Sequence, residues 1–175
     1  MSWVFGYGSL MWRPGFDYQE RRPALLEGYH RAFCRYSYRH RGTPERPGLV
    51  MGLREGGGCV GVVFRLEPSA EADVIAALDA REGDGYLRQK CPVRVLDGKP
   101  GSPGTEVPAW VYVPNPAHPS YFGAATRNTI VALVRQGRGE SGTALEYLRE
   151  VVAQLESLGV SEPEFREVLR EAERG

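Results

Sequence analysis

LVMGLREGGGCVGVVFRLEPSAEADVIAALDARE, residues 49–82, changes its period partway along. LVMGLRE (49–55) and CVGVVFRL (59–66) are rich in the β-branched and aromatic residues that suit a pleated surface, and GGG (56–58) separates them. That arrangement predicts a hairpin. From Pro68 the spacing becomes helical. Val74, Ile75 and Leu78 share one stripe of a helix over 68–82, with Ser69 as the expected N-cap. Glu71 and Asp73 favour the first turn electrostatically, and Gly83 and Gly85 end the helix.

Upstream, WVFGYG (3–8) predicts a short first strand that runs into a loop near Tyr7–Leu10. ALLEGYHRAFCRYSYRH (24–40) predicts one long strand or a strand pair. Period two puts Arg31, Arg35, Arg39 and Arg41 on one face, and Ala32, Cys34, Tyr36 and Tyr38 on the other; Phe33 sits among the arginines. RGTPERPG (41–48) is a loop by its prolines and glycines. Downstream, PVRVL (92–96) and VPAWVYV (107–113) predict strands separated by a Gly/Pro loop at 97–106. PNPAHP (114–119) cannot continue a ladder.

The last third predicts three helices: one over about 124–136, one opened by a capping box from Thr143 to Glu146, and one opened by a box from Ser161 to Glu164. Leu145, Leu148, Val152 and Leu155 form the apolar stripe of the second. Strands first, one helix between them and helices last argue for an α+β fold with a mostly antiparallel or barrel-like sheet. No repeat or composition shift divides the chain, so residues 1–175 read as a single domain.

Lys plus Arg is 22 and Asp plus Glu is 22, so the net charge is zero. Nucleic acid and charged membrane surfaces are therefore poor partners. No run of 18 apolar residues spans a bilayer, and the N-terminus lacks the charge-then-apolar pattern of a signal peptide. Cys34, Cys59 and Cys91 are odd in number and widely spaced, which fits reduced thiols in a cytoplasmic protein. His30, His40 and His118 are scattered, without Cys or carboxylate at ligand spacing, so no metal site is expected. The sequence carries no signal of oligomeric state.

Glu82 is the residue that points the wrong way. It follows Leu78 at i+4 and Ile75 at i+7, so it falls on the buried stripe at the end of a helix. A buried carboxylate is costly unless paired or protonated, and such groups are kept mainly where they work; a frayed helix end would instead leave Glu82 in water. Gly6-Tyr7-Gly8-Ser9-Leu10 is a tight glycine loop whose backbone suits close approach to a ligand. It is neither a phosphate loop nor a dinucleotide fingerprint, and no nucleophile elbow surrounds Ser9. The arginine row at 31–41 reads as a solvated face, or as a clamp for a carboxylate.

Four segments together resemble the ChaC-type glutathione-specific γ-glutamylcyclotransferases: WVFGYGSLMW (3–12), HRGTPERPG (40–48), LDAREGDGY (78–86) and EYL (146–148). The resemblance runs from about residue 2 to 160. It implies a small mixed, mostly antiparallel β-barrel flanked by helices. It implies glutathione as the small-molecule substrate and Glu82 as catalytic acid/base, with no cofactor. It also places Val4, Phe5, Gly6, Tyr7, Gly8, Ser9 and Leu10 at the γ-glutamyl site. Tyr147 is expected near the substrate, and Arg41 is a candidate for its glycyl carboxylate. Asp84 departs from the pattern by adding an acid beside the site.

The implied reaction closes the γ-glutamyl unit into 5-oxoproline and releases Cys-Gly. An α-ammonium near pKa 8 stands about four units above an ordinary Glu, a gap of roughly 5 kcal/mol. Burial raises a carboxyl by up to about 3–5 units, which suits an inward Glu82. A cyclotransferase for other γ-glutamyl peptides or amines is the nearest alternative. A non-enzymatic transport regulator is the second.

Overall fold

The computed structural model describes residues 1–97 and 104–175. Most of the expected 97–106 loop therefore lies outside the described residues. Five strands close a barrel in the order β1-β3-β2-β4-β5: β1 Trp3–Gly6, β2 Glu20–Ser37, β3 Gly48–Arg65, β4 Tyr86–Val95 and β5 Thr105–Pro114. β1 runs parallel to β5 and antiparallel to β3, and β4 is antiparallel to both β2 and β5. With α1 Glu71–Glu82, α2 Arg127–Gln136, α3 Ala144–Ser157 and α4 Pro163–Glu173, the fold is the expected α+β class with a mixed, mostly antiparallel barrel. β6 Arg138–Gly139 and β7 Gly142–Thr143 form a small separate ladder.

Contacts gather into two compact units: Met1–His30 with Glu55–Asn115, and Arg31–Arg54 with Pro116–Gly175. In the first unit, α1 lays Val74 and Leu78 against Val4, Leu10, Leu66 and Tyr112. Close packing of these side chains fixes where the C-terminal end of α1 comes to rest. In the second unit, α2, α3 and α4 pack on one another. Ile130 and Val134, Leu148 and Val152, and Phe165 and Val168 are buried there.

Four expectations need correction. The hairpin at 49–66 does not form; β3 is one strand of 18 residues, like β2. Gly56 and Gly57 take φ of 99° and 74°, which kinks the strand without reversing it. The kinked stretch stays beside β2: the Gly56 carbonyl lies 3.0 Å from His30 Nδ1, and a methyl on Gly58 would sit 3.0 Å from Leu25. Ser69 does not cap α1, because Pro68–Ala70 forms a 3₁₀ turn first and Ala70 takes the cap position. Ser161 does not cap α4 either; Pro163 occupies the first turn and Glu162 stands at the cap without a side-chain capping bond. The box at Thr143 forms as expected, with Glu146 N donating to Thr143 Oγ1 at 3.0 Å and Thr143 N donating to Glu146 Oε2 at 2.7 Å.

Of the arginine row only Arg39 is solvated; Arg31, Arg35 and Arg41 are buried. Phe33, between Arg31 and Arg35, packs edge-on against Phe165 with ring centroids 4.9 Å apart. Arg31 pairs with Glu162, and Arg35 donates from Nε and Nη2 to Ser120 Oγ at 3.2 and 2.7 Å. Cys34, on the other face, is also wholly inaccessible, so β2 is covered on both sides here. Because the Arg31 side chain is fully inaccessible, removing its acid takes a counter-charge from a buried cation. Glu162→Ala is therefore expected to destabilise the protein by about 3 kcal/mol. Glu162→Gln, which keeps an acceptor, should fall between it and wild type in urea unfolding.

Candidate active site

The site of the first unit is built where β1 ends. Trp3–Gly6 is buried throughout, with β3 on one side and β5 on the other. Val4 and Phe5 are wholly inaccessible, so their side chains belong to the core beneath the loop. After Gly6 the chain turns through Tyr7 and Gly8 into a 3₁₀ turn at Ser9–Met11, closed by Met11 N donating to Gly8 O at 3.0 Å. Tyr7 donates its hydroxyl to the Tyr112 carbonyl at 2.7 Å, which holds the ring down onto β5. Of residues 4–10, only Ser9 is more than marginally exposed.

Helix α1 delivers Glu82 to the same unit. The helix ends at Glu82 because Gly83 takes φ 61° and ψ −162°, a conformation closed to residues with a Cβ. The inward setting expected from the Leu78 spacing is observed: the Glu82 side chain is 17 % exposed. Its Oε1 lies 3.5 Å from Arg81 Nε. The same Arg81 guanidinium donates to Ser9 Oγ at 2.8 Å, to Arg13 O at 2.9 Å and to Pro14 O at 3.2 Å. Thus one fork joins the glutamate to the glycine loop. Asp84 lies exposed in the following 3₁₀ turn, its carbonyl accepting from Asn115 Nδ2 at 3.2 Å.

A second set of bonds steadies α1 against the barrel. Tyr112 donates its hydroxyl to Asp79 Oδ1 at 2.8 Å, and Arg88 pairs with Asp79 Oδ2 at 2.5 Å. Burial, and then the bond to the Asp79 carboxylate, push the Tyr112 phenol above its ordinary range, so it stays a donor. Arg88 in turn lies 4.9 Å from the centroid of the Trp110 ring.

Two expected residues stand in the second unit. Arg41 is buried, donates from Nη1 to Thr143 O at 3.1 Å and lies over the Tyr147 ring at 5.5 Å. Tyr147 is buried and accepts at its hydroxyl from Met51 N at 3.0 Å. The adjacent capping bonds from Thr143 hold the Glu146 carboxyl below its ordinary range. The fold thus brings Gly6–Leu10 together with Glu82, and separately Arg41 together with Tyr147. Sequence reasoning missed Arg81, Asp79 and Tyr112. Arg81 was visible as the residue before Glu82, whereas nothing in VPAWVYV marks Tyr112 as Asp79's donor. Among the described residues, no three His, Cys, Asp or Glu side chains gather to hold a metal, and no helix is long and apolar enough to cross a membrane.

Residues 2–173 match the family model described as ChaC-like protein. The glutathione-specific γ-glutamylcyclotransferase of Escherichia coli (strain K12) is 34% identical over 169 residues, covering 95% of this chain and 71% of that protein. The Homo sapiens glutathione-specific γ-glutamylcyclotransferase 1 is 35% identical over 150 residues, covering 83% of this chain and 66% of that protein. A crystal structure of the glutathione-specific γ-glutamylcyclotransferase from yeast superposes with a TM-score of 0.90 at 22% identity, covering 99% of this chain and 96% of that one.

Proposed function

The chain belongs to the ChaC-like protein family, and from that premise we propose that it degrades glutathione by cyclising its γ-glutamyl group, with Glu82 as general acid/base. The observation that carries this reading is the largely buried Glu82 carboxylate, joined through Arg81 to Ser9 of the glycine loop. A carboxylate held in that way is placed to take a proton from a substrate seated on the loop, and later to return it.

The reaction balances without water or cofactor. Glu82 accepts a proton from the substrate's α-ammonium. The freed amine attacks the side-chain amide carbon of the same γ-glutamyl unit and forms the lactam C–N bond. The amide bond to the cysteinyl nitrogen breaks, and Glu82 returns its proton to that leaving nitrogen. The second proton, shed by the attacking nitrogen as it becomes the lactam N–H, passes the same way, so Cys-Gly departs as its ammonium. The products are 5-oxoproline and Cys-Gly. The nucleophile is tethered, so selecting the folded-back rotamer supplies part of the roughly 7–11 kcal/mol available from proximity. The backbone of Gly6–Leu10 is assigned to the γ-glutamyl unit, above the floor made by Val4 and Phe5. Tyr147 is proposed as a substrate-contacting or supporting residue, and Arg41 as the partner of the glycyl carboxylate.

Product analysis of the purified protein with glutathione tests this reading. Equal yields of 5-oxoproline and Cys-Gly are expected, with γ-Glu-Ala turned over poorly; faster cyclisation of γ-Glu-Ala would move the specificity to other γ-glutamyl compounds. No product from either would overturn the reading in favour of a regulatory role. Because Glu82 alone moves the proton, activity after dialysis against EDTA is expected to equal that of untreated enzyme. A loss restored by one metal ion would contradict that chemistry.

A further inference from the structure

We propose that Arg81 is a positioning residue that locks the substrate loop to the catalytic glutamate, so that residues 9–14 and the end of α1 act as one rigid piece. The inference rests on the reading of Glu82 as acid/base and adds a second residue to it. Each nitrogen of the guanidinium serves a different group. Nε faces Glu82 at 3.5 Å, Nη2 donates to Ser9 Oγ at 2.8 Å, and Nη1 donates to the carbonyls of Arg13 and Pro14 at 2.9 and 3.2 Å. Only a planar fork reaches acceptors set out in this way; an ammonium is a single point.

Burial of Leu10 and Met11 and a bond from Arg21 Nη2 to Met11 O at 3.3 Å hold the middle of this stretch, and Arg81 grips its two ends. Ser9–Met11 is a single 3₁₀ turn, held internally by Met11 N to Gly8 O, Trp12 N to Ser9 O and Arg13 N to Ser9 O. A turn of that kind is weak alone and takes its geometry from contacts. Arg81 supplies three of them from a helix whose own register is fixed by Leu78 in the core and by Asp79 on Tyr112. The guanidinium also decides the state of Ser9. A hydroxyl that accepts from a cation keeps its own proton for another acceptor, so Ser9 is left as a hydrogen-bond donor at the one half-buried position of Gly6–Leu10, whose other residues are buried.

Three variants test the proposal: Arg81→Gln, Arg81→Lys and Ser9→Ala, with the Arg81→Gln/Ser9→Ala double variant and Glu82→Gln alongside. Hydrogen exchange at the Met11, Trp12 and Arg13 amides is expected to quicken about tenfold in Arg81→Gln, while exchange across β4 and β5 stays unchanged. Turnover should fall about 30-fold in Arg81→Gln, as a sub-ångström loss of alignment predicts, with KM changed much less. Arg81→Lys should not rescue it, because the charge survives but the fork does not. The double variant should be no slower than Arg81→Gln alone, since Ser9 acts through the bond that is already gone. Unchanged exchange at those amides, additive losses, or full rescue by lysine would each overturn the proposal. Wild-type turnover in Glu82→Gln would instead sink the acid/base reading, and the exchange measurement would still decide whether Arg81 holds the loop.

Discussion

Glu82→Gln is expected to fold and bind glutathione as the wild type does, and to release Cys-Gly at least about 100-fold more slowly. The substitution is close to isosteric, so the end of α1 keeps its shape. Leu78 still fills the core, Gly83 still turns the chain, and the amide oxygen still faces Arg81. What disappears is the one group assigned to take the ammonium proton and to give it to the departing amine. A factor of 100 corresponds to about 2.7 kcal/mol of barrier. Because the loss falls on proton transfer and not on binding, kcat should carry it and KM should hardly move. Glu82→Asp tests placement separately. It keeps the carboxylate but withdraws it by one methylene, and a misplacement near 1 Å costs up to about 10²-fold. Steady-state kinetics on the two variants, with unfolding curves as a control for the fold, decide the matter.

Gly48→Ala is expected to destabilise the second unit by about 3 kcal/mol or more, because a methyl group there meets backbone and not a yielding side chain. Its Cβ would stand 2.0 Å from the Arg41 carbonyl oxygen, 2.8 Å from the Arg41 carbonyl carbon and 3.1 Å from the Gly137 Cα. Gly137 is equally hemmed in: a methyl there would stand 2.4 Å from the Gly48 Cα and 2.5 Å from the Arg41 oxygen. The loop after β2 and the chain after α2 therefore touch backbone to backbone, and only glycines permit the approach. Gly159 supplies the contrast. It has φ 68° and open space around its Cα, so Gly159→Ala should cost only about 1–2 kcal/mol of left-handed strain. For a chain of this size the two losses should differ by several degrees in melting midpoint. Equal midpoints would mean that the close approach at Gly48 is relaxed in solution.

Local signals were readable and long-range ones were not. The end of α1 could be placed because three apolar residues and a glycine, all within ten positions, fix both the buried stripe and the stop. The same holds for the box at Thr143, where the two partners are three residues apart. The glycine triplet misled because positive φ at Gly56 and Gly57 serves a kink as well as a reversal, and the choice between them lies with the neighbouring strand. The polarity of the arginine face misled for a related reason. Arg31 is satisfied by Glu162 and Arg35 by Ser120, acceptors 131 and 85 residues away along the chain. At the candidate site, Glu82 was legible from its stripe, and the loop from its glycines. The bonds that join them are not, since Arg81 reaches Ser9 across 72 residues and Tyr112 reaches Asp79 across 33.

Glutathione turned over in ¹⁸O-enriched water and followed by mass spectrometry tests the intramolecular step most directly. Ring closure by the substrate's own amine predicts 5-oxoproline and Cys-Gly in equal amounts, neither carrying solvent oxygen, with the rate of their appearance collapsing in Glu82→Gln. Free glutamate bearing one heavy oxygen from solvent would show that water is the nucleophile, and would contradict cyclisation at this site.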